Sequence, residues 1–177
     1  MDSGQERKQE EKAYILVIDD DPLLTKTLKR ILEKEGYFVD VAHNGREGIE
    51  KAKSGFFHLI LCDIKMPGLD GLMTIRHIKK FQDQAGIGKS GVIVITAYDT
   101  DQHHQQAAQL GVTDFFKKPF DLKKFREIIH HHAETFVRQN PQEDVAKWNK
   151  RLDMLLKDVR GKSGGGDQHD SVSGQES

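Results

Sequence analysis

From residue 14 onward, short apolar runs alternate with longer segments in which apolar residues recur every three or four positions. Continuous apolar runs that are rich in β-branched residues or leucine are typical of parallel strands buried on both faces. Three such runs, one more alternating segment and one short aromatic segment predict strands, which in chain order cover 15–18, 37–42, 59–62, 92–95 and 114–117.

The segments between the predicted strands have the apolar spacing of amphipathic helices. Pro22 suits a first helical turn, and Gly36 offers a stop after the apolar face of that helix. The second predicted helix covers 45–53, and the third carries the apolar residues Leu72, Ile75 and Ile78. The fourth covers the polar segment 101–110, and the fifth begins after a cap at Asp121. Because strands and helices alternate, we expect an α/β fold with a doubly wound parallel sheet.

The chain after Pro141 has a second kind of pattern. Apolar residues recur there at helical spacing, namely Val145, Trp148, Leu152, Leu155 and Val159. They predict an amphipathic helix over 142–160, which should dock on the sheet domain or pair with a second copy, since its apolar face would otherwise be exposed. The predicted organisation is a disordered leader (1–12), a globular domain (13–138), a C-terminal amphipathic helix (139–160) and a disordered tail (161–177).

Composition excludes several classes of function. The 177 residues carry a formal net charge of −1, so no overall basic field favours nucleic acid, and direct DNA binding is not expected. No apolar run approaches the roughly 20 residues that span a membrane. Cys62 is the single cysteine, which forbids an intrachain disulfide and suits a reducing compartment. We therefore expect a soluble cytoplasmic protein.

Polar residues follow four of the predicted strands. Asp19 and Asp20 end the first, Asp63 ends the third, Thr96 ends the fourth and Lys118 follows the fifth. Ligands of such sheets bind outside the carboxyl ends of the strands, so these side chains should converge on one edge. Clustered carboxylates repel one another unless a cation holds them, and carboxylate oxygens suit Mg²⁺. The pattern predicts a magnesium site.

The segments ILVIDDDP, LILCDIKMPGLDG, VIVITA and FFKKPF lie in this order within 14–137 and resemble the receiver domain of two-component response regulators. The resemblance implies a flavodoxin-like sheet with strand order 2-1-3-4-5. It also implies that a histidine kinase or histidine phosphotransfer protein phosphorylates Asp63. Mg²⁺, with Mn²⁺ as a substitute, would be held by Asp19, Asp20, Asp63 and the backbone carbonyl of Lys65.

The same resemblance assigns the remaining residues of the site. Thr96 and Lys118 match the hydroxyl and the lysine that contact the phosphoryl group, and the peptide bond between Lys118 and Pro119 is usually cis in the family. Thr96 and Phe115 match the switch that alters the 96–120 surface for a downstream protein target. Phe115 lacks a hydroxyl, so switching there is expected by packing alone. Such a protein catalyses only its own phosphorylation and dephosphorylation, and a homodimer through the fifth or the C-terminal helix is left open.

Two positions are expected to set how long the phosphoryl group stays. Lys65 and Tyr98 lie two residues after Asp63 and Thr96, and should flank the path of the hydrolytic water. Both side chains are long, so we expect them to cover that path and slow dephosphorylation. The competing interpretation is two solvent-exposed side chains with no such effect.

Other interpretations of these residues compete. Asp19 and Asp21 form a D-x-D pattern like that of haloacid-dehalogenase-type phosphatases, but Leu23 stands where that pattern usually has Thr or Val. Taken singly, either aspartate could instead cap a helix. Cys62 is interpreted as a small buried apolar group rather than a redox centre, and the histidines at 103–104 and 130–132 as structural or solvated rather than metal ligands. The chain could also be a receiver fragment of a larger regulator or hybrid kinase.

Overall fold

A computed structural model describes residues 12–162, which form one five-stranded parallel sheet in the order β2-β1-β3-β4-β5. The fold class and strand order predicted from the sequence are confirmed. The elements are β1 (Tyr14–Ile18), α1 (Pro22–Lys34), β2 (Phe38–Ala42), α2 (Gly45–Ser54), β3 (Leu59–Cys62), α3 (Gly71–Ala85), β4 (Gly91–Thr96), α4 (Asp101–Gln109), β5 (Asp114–Lys117), α5 (Leu122–Gln139) and α6 (Gln142–Lys162). Residues 1–11 of the predicted leader (1–12) and residues 163–177 of the predicted tail (161–177) lie outside the described residues.

Alternate residues of the central strands face opposite sides of the sheet, which divides the core into two layers. On one face, Ile15 and Val17 pack with residues of α1 and α5. On the other face, Leu16 and Ile18 pack with residues of α2, α3 and α4. The continuous apolar runs of the central strands therefore have the expected cause, since both of their faces are buried. No helix within residues 12–162 is long and apolar enough to cross a membrane.

Short polar side chains cap the first turns of the helices by accepting hydrogen bonds from backbone N–H groups. Asp21 caps α1, with its carboxylate 2.8 Å from the amide of Leu23 and 3.2 Å from that of Leu24. Asp121 caps α5 in the same way, as its position before the apolar pattern predicts. Each of these two caps lies in the loop after the carboxyl end of a strand. Both helices therefore begin close to the carboxyl edge of the sheet.

Helix α6 covers the opposite end of the sheet, where β3 and β4 begin. Val145 and Leu152 are buried against Phe56, which precedes β3, together with Ala85 and Ile87, which precede β4. The ring of Trp148 lies 4.8 Å from that of Phe56, and the side-chain oxygen of Asn149 accepts the Phe56 N–H at 2.9 Å. The helix therefore docks on the rest of the chain through apolar contacts and one specific hydrogen bond.

The prediction that Leu155 belongs to the buried apolar face of α6 is wrong. Leu152 is fully buried, whereas Leu155 is 40% exposed. An α-helix turns about 100° per residue. Counted from Leu152, a residue four positions later therefore points about 40° away from the direction of Leu152, and a residue three positions later points about 60° away. Leu156 accordingly lies closer to the docked face than Leu155 and is the half-buried one. Val159, the last member of the predicted stripe, lies outside the described side chains.

His58 fastens this end of the molecule and was not singled out by the sequence pattern. It is fully buried, with Nδ1 3.0 Å from the backbone N of Tyr14 and Nε2 3.1 Å from the carbonyl oxygen of Asn140. A backbone N–H can only donate and a carbonyl can only accept. The ring is therefore neutral with its proton on Nε2, and it connects β1 to the end of α5, just before α6.

Replacing His58 with Leu is expected to destabilise the fold, because it leaves the amide of Tyr14 and the carbonyl of Asn140 without this partner. An unsatisfied buried polar group costs about 1–3 kcal/mol, so the free energy of unfolding should fall by roughly 2 kcal/mol or more. Urea unfolding followed by circular dichroism measures this change. His77→Leu, on the exposed face of α3, is the matched control. Equal unfolding midpoints for the two variants would contradict the assigned role.

Candidate functional site

Three aspartates meet at the carboxyl edge of the sheet. Oxygens of Asp19, Asp20 and Asp63 lie within 4.8 Å of one another. Asp19 and Asp63 are only 3% and 7% exposed, whereas Asp20 faces solvent. Their convergence follows from strand pairing, since the Asp63 amide continues the β1–β3 ladder by donating to the Ile18 carbonyl at 2.9 Å. The predicted carboxylate cluster is therefore present.

Lys118 places a cation beside two of these carboxylates. Its Nζ lies 2.6 Å from an oxygen of Asp19 and 3.8 Å from Oδ1 of Asp63. The Lys118 amide donates to the carbonyl of Thr96 at 2.8 Å, and the peptide bond to Pro119 is cis. The fully buried Thr96 and the lysine thus reach the same edge from neighbouring strands. All five residues predicted to form the edge converge there.

Asp63 is the least satisfied member of the cluster. Its Oδ1 is buried and, among the described residues, has no hydrogen-bond partner. Burial raises the pKa of Asp63, and the charge of Asp19 adds to this, while Lys118 and the Thr96 hydroxyl act in the opposite direction. Buried polar atoms are rarely left unpaired, and such exceptions mark strain, a catalytic role or an ion. This oxygen is free to coordinate a cation or to act as a nucleophile.

The donor set fits Mg²⁺. The ion prefers oxygen ligands and keeps several of its waters, so it needs a few carboxylates and access to solvent. Asp19 and Asp63 supply buried oxygens, and the exposed Asp20 lies on the open side. The backbone carbonyl of Lys65 remains a predicted fourth ligand.

Asp21 does not belong to the cluster. Its carboxylate caps α1, which confirms one of the two interpretations of this residue and leaves Asp19 to the site. The D-x-D pattern of a haloacid-dehalogenase-type phosphatase needs both aspartates at the metal. Here the second one is engaged by backbone amides of a helix, so the geometry does not favour that rival.

The backbone of Asp63 is held in place from the side of α3. The amide of Gly71, the first residue of that helix, donates to the carbonyl of Ile64 at 2.8 Å. A methyl group at position 71 would overlap the backbone carbonyl of Asp63. Glycine is therefore required here by a close approach of two backbones, and the backbone of Asp63 rests directly on the start of α3.

Lys65 and Tyr98 contact each other beside the site. The Lys65 Nζ lies 3.8 Å from the centroid of the Tyr98 ring, within the range of a cation–π interaction. The Tyr98 amide donates to the hydroxyl of Thr96 at 3.1 Å, which ties this loop to the buried end of β4. The two residues that the sequence marks as flanking the water path thus lie together, and their effect on dephosphorylation stays a prediction.

The cysteine is buried, and one of the histidines that the sequence singles out packs against an aromatic residue of β5. Cys62 is buried, and burial raises the pKa of its thiol, so the sulfur stays protonated like a small apolar group. Within the described part of the chain, the three aspartates are the one cluster able to hold a metal. The histidine is His104, which packs on Phe115 with ring centroids 4.0 Å apart. Sequence reasoning missed this contact.

The chain is similar in sequence to curated response regulators and transcriptional regulatory proteins. The chain is 34% identical over 130 residues to the uncharacterized transcriptional regulatory protein YkoG of Bacillus subtilis (strain 168), covering 73% of this chain and 53% of that protein. It is 30% identical over 135 residues to the response regulator ArlR of Staphylococcus aureus (strain MW2), covering 76% of this chain and 57% of that protein. The chain therefore spans somewhat more than half the length of these two relatives.

Solved structures show the same fold. The response regulator protein TrrA of Thermotoga maritima, in complex with Mg²⁺-BeF, matches with a TM-score of 0.58 and 31% identity, covering 68% of this chain and 98% of that one. A chain in the co-crystal of the Saccharomyces cerevisiae histidine phosphotransfer protein Ypd1 with the receiver domain of its downstream response regulator Ssk1 matches with a TM-score of 0.64 and 26% identity, covering 69% and 89%. The response regulator receiver domain model matches residues 15–130. The chain therefore belongs to the response regulator receiver family.

Proposed function

We propose that this chain accepts a phosphoryl group on Asp63 in a Mg²⁺-dependent reaction and responds by changing its 96–120 surface. The observation that carries the proposal is the buried Oδ1 of Asp63, which accepts no hydrogen bond from the described residues, lies within a carboxylate cluster and is 3.8 Å from the Lys118 ammonium. The proposed nucleophile, the proposed metal ligands and the Lys118 cation therefore lie together at one edge of the sheet. The protein would catalyse only its own phosphorylation and dephosphorylation.

Each residue has a distinct task in this reaction. An oxygen of Asp63 forms a bond to phosphorus as the P–N bond of a phosphohistidine donor breaks and the imidazole leaves with the electron pair. Asp19, Asp20, Asp63 and the Lys65 carbonyl would hold Mg²⁺, which when bound neutralises charge on the phosphoryl oxygens. Lys118 pairs with another phosphoryl oxygen as a point charge.

The proposed phosphoryl donor is a histidine kinase or a histidine phosphotransfer protein. The structural likeness to the co-crystal of such a phosphotransfer protein with a receiver domain supports this choice. The proposed output is contact with a protein target, since the net charge of −1 offers no overall field for DNA. The curated relatives named as transcriptional regulators extend beyond the part of them that this chain matches.

The test is uptake of phosphate from acetyl phosphate, followed by intact-protein mass spectrometry with Mg²⁺ or with EDTA. Uptake should require Mg²⁺, and Mn²⁺ should substitute for it. Absence of uptake at any Mg²⁺ concentration would contradict the proposal.

Asp20→Ala should raise the Mg²⁺ concentration needed for half-maximal uptake, because a direct oxygen ligand is lost. We expect a change of about tenfold or more, which corresponds to about 1.4 kcal/mol of binding free energy. The matched control is Asp21→Ala, because it removes the neighbouring carboxylate, which caps α1 instead of joining the cluster. A similar Mg²⁺ requirement in the two variants would show that Asp20 is not a ligand.

Replacing Lys65 and Tyr98 together with Ala should shorten the lifetime of the phosphorylated form at fixed Mg²⁺. The paired side chains are expected to obstruct the path of the hydrolytic water, and a loss of about 1.4 kcal/mol of barrier would accelerate decay tenfold. Phosphate release after removal of the donor measures the rate, with Lys80→Ala on the exposed face of α3 as control. An unchanged half-life would favour the competing interpretation of two surface side chains.

A further inference from the structure

A continuous series of contacts leaves the site through the loop between β4 and α4. The hydroxyl of Thr96 accepts the amide of Tyr98 at 3.1 Å. The carbonyl of Tyr98 lies 2.9 Å from Nδ1 of His103, and because a carbonyl only accepts, that nitrogen must donate. The next loop residue, Asp99, has an oxygen 2.5 Å from Nε2 of His104. Two consecutive histidines in the first turn of α4 thus hold two consecutive residues of the loop.

His104 also contacts the aromatic residue on β5. Its imidazole lies 4.0 Å from the ring of Phe115, with the two planes inclined by 31°. The same imidazole is therefore bound at its edge by the loop and packed on its face against the strand. The other charged group at this contact is Lys117 of β5, whose Nζ lies 3.7 Å from Asp99.

The carboxylate of Asp99 is a strong acceptor in this arrangement. The hydrogen bond from His104 holds the pKa of Asp99 below its usual value, and Lys117 acts in the same direction. A hydrogen bond to an ionised carboxylate is shorter and stronger than one between neutral groups. His104 should therefore follow Asp99 when the loop moves, instead of separating from it.

Phe115 has no hydroxyl with which to hydrogen-bond the loop, so a link between the loop and the Phe115 ring must run through another side chain. Lys117 contacts Asp99 from β5, whereas His104 contacts both Asp99 and the Phe115 ring. We propose that His104 is the positioning residue that transmits movement of the β4–α4 loop to Phe115. The proposal rests on the proposed function of the site, since the movement begins at Thr96 when its hydroxyl turns toward the phosphoryl group. Packing of Phe115 then changes because its neighbouring ring changes place.

Histidine has the properties that this task requires. Its flat ring stacks on an aromatic neighbour, and its N–H lies at the ring edge, where a carboxylate can reach it. Phenylalanine would keep the stacking and lose the hydrogen bond. The tie between Asp99 and His104 can therefore be removed without emptying the space beside Phe115.

The experiment compares His104→Phe, Asp99→Ala and Asp99→Asn with the parent protein, before and after phosphorylation by acetyl phosphate. Amide NMR shifts of 96–120 report the response at Phe115, and intact mass of the same samples reports phosphate on Asp63. His77→Phe, the same change on the exposed face of α3, is the control. Asn at position 99 keeps an acceptor oxygen, so it should restore much of what Ala loses.

We expect His104→Phe and Asp99→Ala to take up phosphate as the parent does and to lose most of the phosphorylation-dependent shift at Phe115. The double variant should lose no more than Asp99→Ala alone, because that change already removes the link between Asp99 and His104 together with the contact to Lys117. A parent-like shift in His104→Phe, or a loss of phosphate uptake in it, would overturn the proposal. If the parent itself takes up no phosphate, the proposed function fails together with it.

Discussion

Asp63→Asn is expected to abolish phosphate uptake while leaving the fold intact. An amide oxygen is a poor nucleophile and a weaker metal ligand than a carboxylate. Both phosphoryl transfer and Mg²⁺ binding should therefore be impaired. The substitution keeps the shape of the side chain in a pocket where the residue is 7% exposed. Intact mass after incubation with acetyl phosphate and Mg²⁺ should therefore remain that of the unmodified protein.

Stability measurements separate this loss of chemistry from misfolding. Because burial raises the pKa of Asp63, the ionised carboxylate is less favourable in the folded protein than in the unfolded chain. A neutral amide removes that cost, so the free energy of unfolding at neutral pH and without Mg²⁺ should not fall. Asp70→Asn, which keeps a capping side chain at the start of α3, is the matched control and should take up phosphate normally. Equal uptake by Asp63→Asn would disprove the assignment.

Removing α6 by ending the chain after Asn140 is expected to destabilise the fold. Phe56 and Ile87, which are 3% and 8% exposed, would lose their cover, and the buried Val145 and Leu152 would be gone. Each large apolar side chain gains about 1.5–3 kcal/mol from full burial, so we expect a net loss on the order of 3 kcal/mol. Domain stabilities are about 5–15 kcal/mol, so the loss should be plain in urea unfolding.

A pair of substitutions tests the docking without truncation. Leu152→Ala empties a fully buried position and should cost about 2–5 kcal/mol. Leu155→Ala makes the same chemical change one turn on, at a position that is 40% exposed, and should change stability by about 0.5 kcal/mol or less. Equal costs would show that α6 does not dock as described. Light scattering of both variants would show whether the helix instead pairs with a second copy.

The sequence predicts the residues at the carboxyl edge of the sheet better than it predicts the contacts at the opposite end. Asp19, Asp63, Thr96 and Lys118 each follow an apolar run, and parallel strands bring their carboxyl ends together whatever the details of packing. Those residues could therefore be placed from the chain alone. The resemblance to receivers added roles that spacing does not contain, such as that of Phe115.

The contacts that the sequence did not reveal depend on how whole elements dock. His58 bonds to residues 44 and 82 positions away, and nothing in its neighbourhood marks it as a connector. The exposure of Leu155 depends on which face of α6 packs against the rest of the chain. The helical spacing of apolar residues does not decide whether Leu155 or the adjacent Leu156 lies on that face. His104 had a local signal, since an aspartate lies five residues before it, but its contact with Phe115 requires the placement of α4 against β5.

The glycine at the start of α3 brings two backbones into close contact on one side of the carboxyl edge of the sheet. With no room for a methyl group between Gly71 and the Asp63 carbonyl, the backbone under the nucleophile has little freedom to recoil. Under the proposed function, we expect the volume and charge added at Asp63 to be accommodated on the other side, where Thr96 and the loop after it lie. The proposed signal would then leave the site in a direction that the packing of Gly71 against Asp63 defines before phosphorylation.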